Sequence, residues 1–223
     1  MIKRALPAAL LILLAGGGSA AAQGVQVDLV PYAGFYVAAT SLAEFSVTDP
    51  DALIKVGQEP AFLLGGRVDL WFARDFGIEG NFAYAFSNAK LEAEDASGTT
   101  NLCDDPDEDC SAYVWVAGTS VIYRFLYPEG ASYSIFMSAG LSLIGRGGNF
   151  WSDVDGTTDF GGTFGVGFTQ DFSKRVGVRV NAEYYIYSFK LTATDEEIGN
   201  IDSDSKLQSD LVLSAALAVH LGS

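Results

Sequence analysis

The chain has 223 residues, 28 of them acidic and 13 basic, for a net charge of −15 at neutral pH. Such acidity excludes a nucleic-acid binder, whose phosphate contacts need a basic face. The length suffices for one domain of ordinary size, and 25 Gly with 15 Phe, 10 Tyr and 3 Trp suit crowded strands and aromatic girdles.

The first residues read as a targeting signal. Lys3 and Arg4 precede an apolar run of about 11 residues centred on Leu10 to Leu14, against roughly 20 for a membrane-spanning helix. Three glycines end the run, and Ala20-Ala21-Ala22 offers small residues for cleavage before Gln23. The expectation is a cleaved signal over 1–22 and a single domain over 23–223. Without Lys3 and Arg4, 11 basic and 28 acidic residues remain, a net of −17.

From there the apolar residues recur with a period of two, the pattern of strands with one apolar and one polar face. Over 25–39, Val27, Leu29, Ala33, Phe35 and Val37 oppose Gln26, Asp28, Tyr32, Gly34 and Tyr36. A polar connection, 40–60, leads to 62–72, where Leu64, Val68 and Leu70 oppose Arg67, Asp69 and Trp71. A tight turn at 73–75 opens 76–86, with Ile78, Phe82 and Tyr84 opposite Glu79, Asn81 and Ala83. The longest connection, 87–112, holds Cys103 and Cys110, and 113–125 follows with Trp115 and Tyr123 on one face. After a turn at 127–130 come 132–146 and 158–172, whose polar faces are almost wholly Gly, Ser and Thr. Strand 175–191 sets Val176, Val178, Val180 and Ile186 against Arg179 and Glu183, and 207–221 closes the chain.

Eight strands separated by alternating long and short connections predict an all-β fold, an eight-stranded antiparallel up-and-down transmembrane barrel with long loops at one end. The apolar faces then meet lipid and the polar faces point inward. Charge agrees: the four long connections, counted with Arg146 at the edge of the third, hold 19 acidic residues against Lys55, Lys90, Arg146 and Lys206. A soluble lipocalin-like barrel is the competing architecture, with its apolar faces turned inside.

The opening Val-Asp-Leu-Val-Pro-Tyr-Ala-Gly-Phe-Tyr at 27–36, and Leu-Gly-Gly-Arg-Val-Asp-Leu-Trp-Phe at 64–72 before Phe-Gly-Ile-Glu-Gly at 76–80, resemble eight-stranded outer-membrane barrels of the OmpA-like and OmpX types. The resemblance implies residence in the outer membrane as a monomer, contact with lipid and lipopolysaccharide, and insertion by the barrel-assembly machinery. Such barrels usually end on an aromatic residue; this sequence ends Leu221-Gly222-Ser223.

Asp28, Arg67, Asp69, Glu79, Arg124, Arg179 and Glu183, with Asp210 beside them, form the expected interior charge network. An eight-stranded barrel is only wide enough for side chains to fill it, and buried charges must be paired. One reading is a plug of Arg–carboxylate pairs under loops that serve envelope integrity or adhesion. The alternative is a small porin-like channel of low conductance that prefers cations. Cys103 and Cys110 read as a disulfide in an exported protein. The five carboxylates between them, Asp104 to Asp109, are expected to attract Ca²⁺ or Mg²⁺ weakly, without a dedicated metal site. Asp153-Val154-Asp155-Gly156 reads as an Asp-Gly turn. His220, the single histidine, lies at the far end of the last strand with no nucleophile in its motif, so no enzyme and no cofactor are expected.

Overall fold

The computed structural model describes residues 25–221, apart from 49–50, 96–97, 105–108, 127, 129, 153, 156, 191, 196–198 and 203–204. The expected signal at 1–22, most of the acidic run between the cysteines, and the ends of the 153–156 turn lie outside the described residues.

Among the described residues fifteen strands follow in chain order: β1 Gln26–Ala38, β2 Ala43–Thr48, β3 Asp51–Gln58, β4 Ala61–Trp71 and β5 Phe76–Ala85. Then come β6 Ala89–Asp95, β7 Gly98–Asn101, β8 Tyr113–Leu126, β9 Tyr133–Gly147 and β10 Val154–Asp155. The last five are β11 Thr158–Asp171, β12 Val176–Phe189, β13 Thr192–Asp195, β14 Gly199–Asp202 and β15 Lys206–Leu221. Eight of them close an antiparallel barrel in the order β1-β15-β12-β11-β9-β8-β5-β4. The seam pairs the first strand with the last, from Val27 opposite Leu221 to Ala38 opposite Asp210. Closure removes every edge of the main sheet, so its backbone groups pair without help from solvent.

Sidedness follows from which alternate is covered. On β12, Val178, Val180, Tyr184 and Ile186 are 37–46% exposed, whereas Arg179 and Glu183 are each 2% exposed. The same inversion holds around the circumference, where Phe35, Leu64, Phe82, Leu141, Phe164 and Leu213 all face outward. A soluble barrel would bury this face, and an apolar belt of such extent is a lipid-contacting surface. Among the described residues no helix is long and apolar enough to cross a membrane.

The long connections expected to be plain loops are themselves partly β-structured. β2, β3, β6 and β7 form one small sheet and β10, β13 and β14 another. β3 pairs with β6 just as β4 pairs with β5, so the second hairpin continues beyond the barrel rim. Ser87 Oγ donates to the Glu59 carbonyl at 2.6 Å and Gln58 Nε2 to the Asn88 carbonyl at 3.0 Å, bridging the step between the two levels. Charge on these strands obscures their period of two: Lys90, Glu92 and Glu94 alternate with Ala89, Leu91 and Ala93, and Lys55 bridges to Glu94 at 2.6 Å.

Glycine in the barrel wall makes room for inward aromatic rings. A Cβ at Gly167 would collide with the Phe136 ring, and one at Gly65 with the Tyr32 ring. These two inner-face glycines of β4 and β11 therefore complement large rings on the neighbouring strands.

Candidate functional site

The interior is the only part of the described molecule where many charged groups converge without solvent, and they stack in three levels. The lowest lies at the end carrying the short turns. Asp28 on β1 accepts from Trp71 Nε1 at 2.9 Å and Gln26 Nε2 at 2.8 Å, and its Oδ1 lies 2.8 Å from His220 Nδ1. The other ring nitrogen of His220 lies 3.1 Å from Asp171 Oδ1, so one imidazole links β1, β15 and β11. Arg124 stacks on the Trp71 ring, 3.5 Å from its centroid, and stands 3.9 Å from Asp28. It belongs to this lower mouth and not to the central cluster.

The central level holds Arg67, Asp69, Glu79, Arg179 and Glu183, all at most 2% exposed. Strand alternation puts Arg67 and Asp69 on the inner face of β4, and Arg179 and Glu183 on that of β12. Arg179 donates to Asp69 at 2.7 Å, to Glu79 at 2.6 Å and, through Nε, to Asn181 at 2.8 Å. Arg67 pairs with Glu183, donates to Ser214 at 3.2 Å and stands 3.7 Å from Glu79. Aromatic faces complete the cage: Arg67 lies 3.7 Å from the Tyr32 ring centroid and Arg179 4.1 Å from that of Phe136.

The upper level contains a residue that the sequence reading misplaced. Arg146, counted among the loop charges, is buried inside the barrel, with Nη1 2.8 Å from Asp159. It also donates to the Tyr187 hydroxyl, which in turn donates to Asp210 at 2.8 Å. The sheet runs beyond the lipid-facing belt, so the inward alternation of Ser134, Ser138 and Ser142 continues to Arg146. That parity was the available signal. Beyond this level the buried side chains turn apolar: Leu42, Val56, Leu63, Trp151 and Phe189 belong to one buried cluster.

Cys103 and Cys110 form a disulfide. Beside it, Asp109 is tied down, accepting from Ser111 N at 3.0 Å and Asn149 Nδ2 at 2.6 Å, and these bonds hold its carboxyl below the usual carboxylate range. Among the described residues no group of three His, Cys, Asp or Glu side chains is arranged to hold a metal ion.

A closed eight-stranded barrel with an apolar exterior and a charged, filled interior defines the outer-membrane β-barrel fold. No protein-family model and no curated protein matches this sequence. Solved structures do. The chain is similar to OprG of Pseudomonas aeruginosa, with a TM-score of 0.59, 12% identity, and coverage of 88% of this chain and 96% of that one. It is similar to AlkL in lipid bilayers, with a TM-score of 0.54, 14% identity, and coverage of 86% and 89%. Neisserial surface protein A follows, with a TM-score of 0.50, 13% identity, and coverage of 88% and 96%. At such identities the likeness is one of fold.

Proposed function

We propose that this chain is a monomeric, non-enzymatic outer-membrane protein with a closed interior, whose acidic loops serve envelope integrity or surface contact. The observation that carries the reading is the continuity of the interior filling. The Asp28–His220 level, the central charge cluster, the Arg146 level and the apolar cap succeed one another along the axis. Breaking one buried pair to open a path would leave the other charge uncompensated, which is strongly destabilising. The loops are acidic, so contact with lipopolysaccharide phosphates runs through divalent cations shared between two anionic surfaces.

Purified protein in planar bilayers tests this reading. Absence of steady unitary conductance is expected. A reproducible cation-selective conductance would overturn it in favour of the low-conductance channel, the reading favoured by the small inner-face residues of β9 and β11. Carbonate extraction of membranes tests the location: the protein is expected to stay in the pellet, and its release would exclude a lipid-facing barrel.

A further inference from the structure

The central charges do not balance. Two guanidinium groups, Arg67 and Arg179, face three carboxyl groups, Asp69, Glu79 and Glu183, all of them buried. Asp69 and Glu79 are direct partners in the β4–β5 register, so both project inward from the same rung. Arg179 binds both at once, Asp69 Oδ2 at 2.7 Å and Glu79 Oε2 at 2.6 Å, so the two carboxyl groups lie side by side on one guanidinium. Two ionised carboxylates so placed offer each other only acceptors and repel, and one proton between them relieves the pair. Asp69 Oδ1 is buried and receives no donor among the described residues.

Among the described residues, the other charged groups on the surrounding strands have partners of their own. From β1 come Asp28, itself acidic and committed to Trp71 and His220, and Tyr32, covered by Arg67. β12 gives Arg179, already shared between both acids, and Glu183, another carboxyl, which is paired with Arg67. β8 contributes Arg124, stacked on Trp71 at the lower mouth, and β15 contributes His220, held by Asp28 and Asp171. An unmatched anion in this water-poor interior costs far more than binding a proton. The upper level differs. Arg146 pairs with Asp159 and donates to the Tyr187 hydroxyl, and that hydroxyl donates directly to Asp210.

We propose that Asp69 and Glu79 form a buried proton-binding site, an acid–carboxylate pair holding one proton at neutral pH. Glu79 is approached by both arginines and is the anion; Asp69, with one guanidinium contact, is the acid and donates from Oδ1 to Glu79. The inference stands whether or not the barrel conducts.

The test uses the full barrel folded in phosphatidylcholine vesicles. Infrared spectra at neutral pH are expected to show a protonated-carboxyl C=O band that Asp69→Asn removes. The asparagine amide can donate to Glu79 in place of the acid, so this variant is expected to fold. If it does not, Glu79→Gln removes the same pair and the same band. A second readout is the folding equilibrium in urea between about pH 6 and pH 8. The folded state holds a proton that the unfolded chain, with carboxyl pKa values of about 4, has released. The pair's contribution is therefore largest at low pH and falls tenfold in the equilibrium constant per pH unit as pH rises, until the folded pair ionises. The variant lacks this component of the slope. Absence of the band from the parent protein, identical pH slopes in parent and variant, or a stability that follows Na⁺ or K⁺ concentration instead of pH would each overturn the proposal.

Discussion

His220 Nδ1 lies 2.8 Å from Asp28 Oδ1, and the two residues face each other in the register that joins the first strand to the last. The seam that closes the barrel is thus tied by a side-chain pair near its end. Replacing the ring by methyl removes its contacts to both Asp28 and Asp171 but leaves Trp71 and Gln26 on Asp28. His220→Ala is expected to cost about 1–3 kcal/mol, the penalty for leaving buried acceptors underpaired. Urea unfolding in vesicles measures it, and an unchanged midpoint would show that the seam does not depend on this contact.

Arg179 is the cation on which the central level depends most. Its loss leaves Asp69 and Glu79 with Arg67 alone, at 3.7 Å from Glu79 and already paired with Glu183. Arg179→Met is expected to destabilise the barrel by about 3–5 kcal/mol, since one partner of a buried pair is removed. Lys174→Met, in an exposed turn, is the control and is expected to stay within about 0.5 kcal/mol of the parent. Comparable effects from both would place the arginine outside the filled interior described here.

The outward face has its own signature. Val178, 37% exposed on β12, points away from the interior. Val178→Arg sets a charge against mid-bilayer lipid at a cost of roughly 2–4 kcal/mol. Folding yield in lipid vesicles reports it, and a variant that folds as well as the parent would reverse the assignment of inside and outside.

Packing between wall and ring gives a prediction that can be rescued. Gly167 leaves no room for a Cβ beside the Phe136 ring. Gly167→Val overfills the central level and is expected to cost about 1–3 kcal/mol. Adding Phe136→Leu is expected to recover part of the loss in urea unfolding, because the clash, not the strand propensity of valine, is its cause.

The disulfide closes a short ring outside the barrel, the two cysteines standing at a sequence separation of 7. Replacing both by Ser removes a constraint of about 2–3 kcal/mol in the chain-entropy account, confined to that connection. Trypsin cleavage after the half-exposed Lys90 is expected to accelerate while the barrel's urea midpoint stays fixed. A shift in the midpoint would instead couple the loop to the barrel.

Much of this protein is legible in sequence because a strand repeats every two residues and a closed barrel has only two faces. Val178 and Arg179 are assigned opposite sides by adjacency alone, and the rhythm of long and short connections fixes eight antiparallel strands. Strand ends were harder to place. Arg146 belongs to the inner face because β9 rises past the apolar belt, where no hydrophobic outward partner marks the alternation. The hairpins β2–β3 and β6–β7 were hidden for the same reason: beyond lipid, both faces tolerate charge.

What sequence alone determined is which residues face inward, since parity follows from the covalent chain. Which inward residues meet was decided only by the register and closure of the barrel. Asp69 and Glu79 lie ten positions apart, but β4–β5 pairing brings them to one rung; Arg179, 110 and 100 positions away from them, reaches both only because the sheet curls shut. Asp28 and His220 stand near opposite ends of the chain and touch because closure pairs the first strand with the last. Interior charges were visible as a set, but their imbalance at the centre depends on distance, and distance belongs to the tertiary structure.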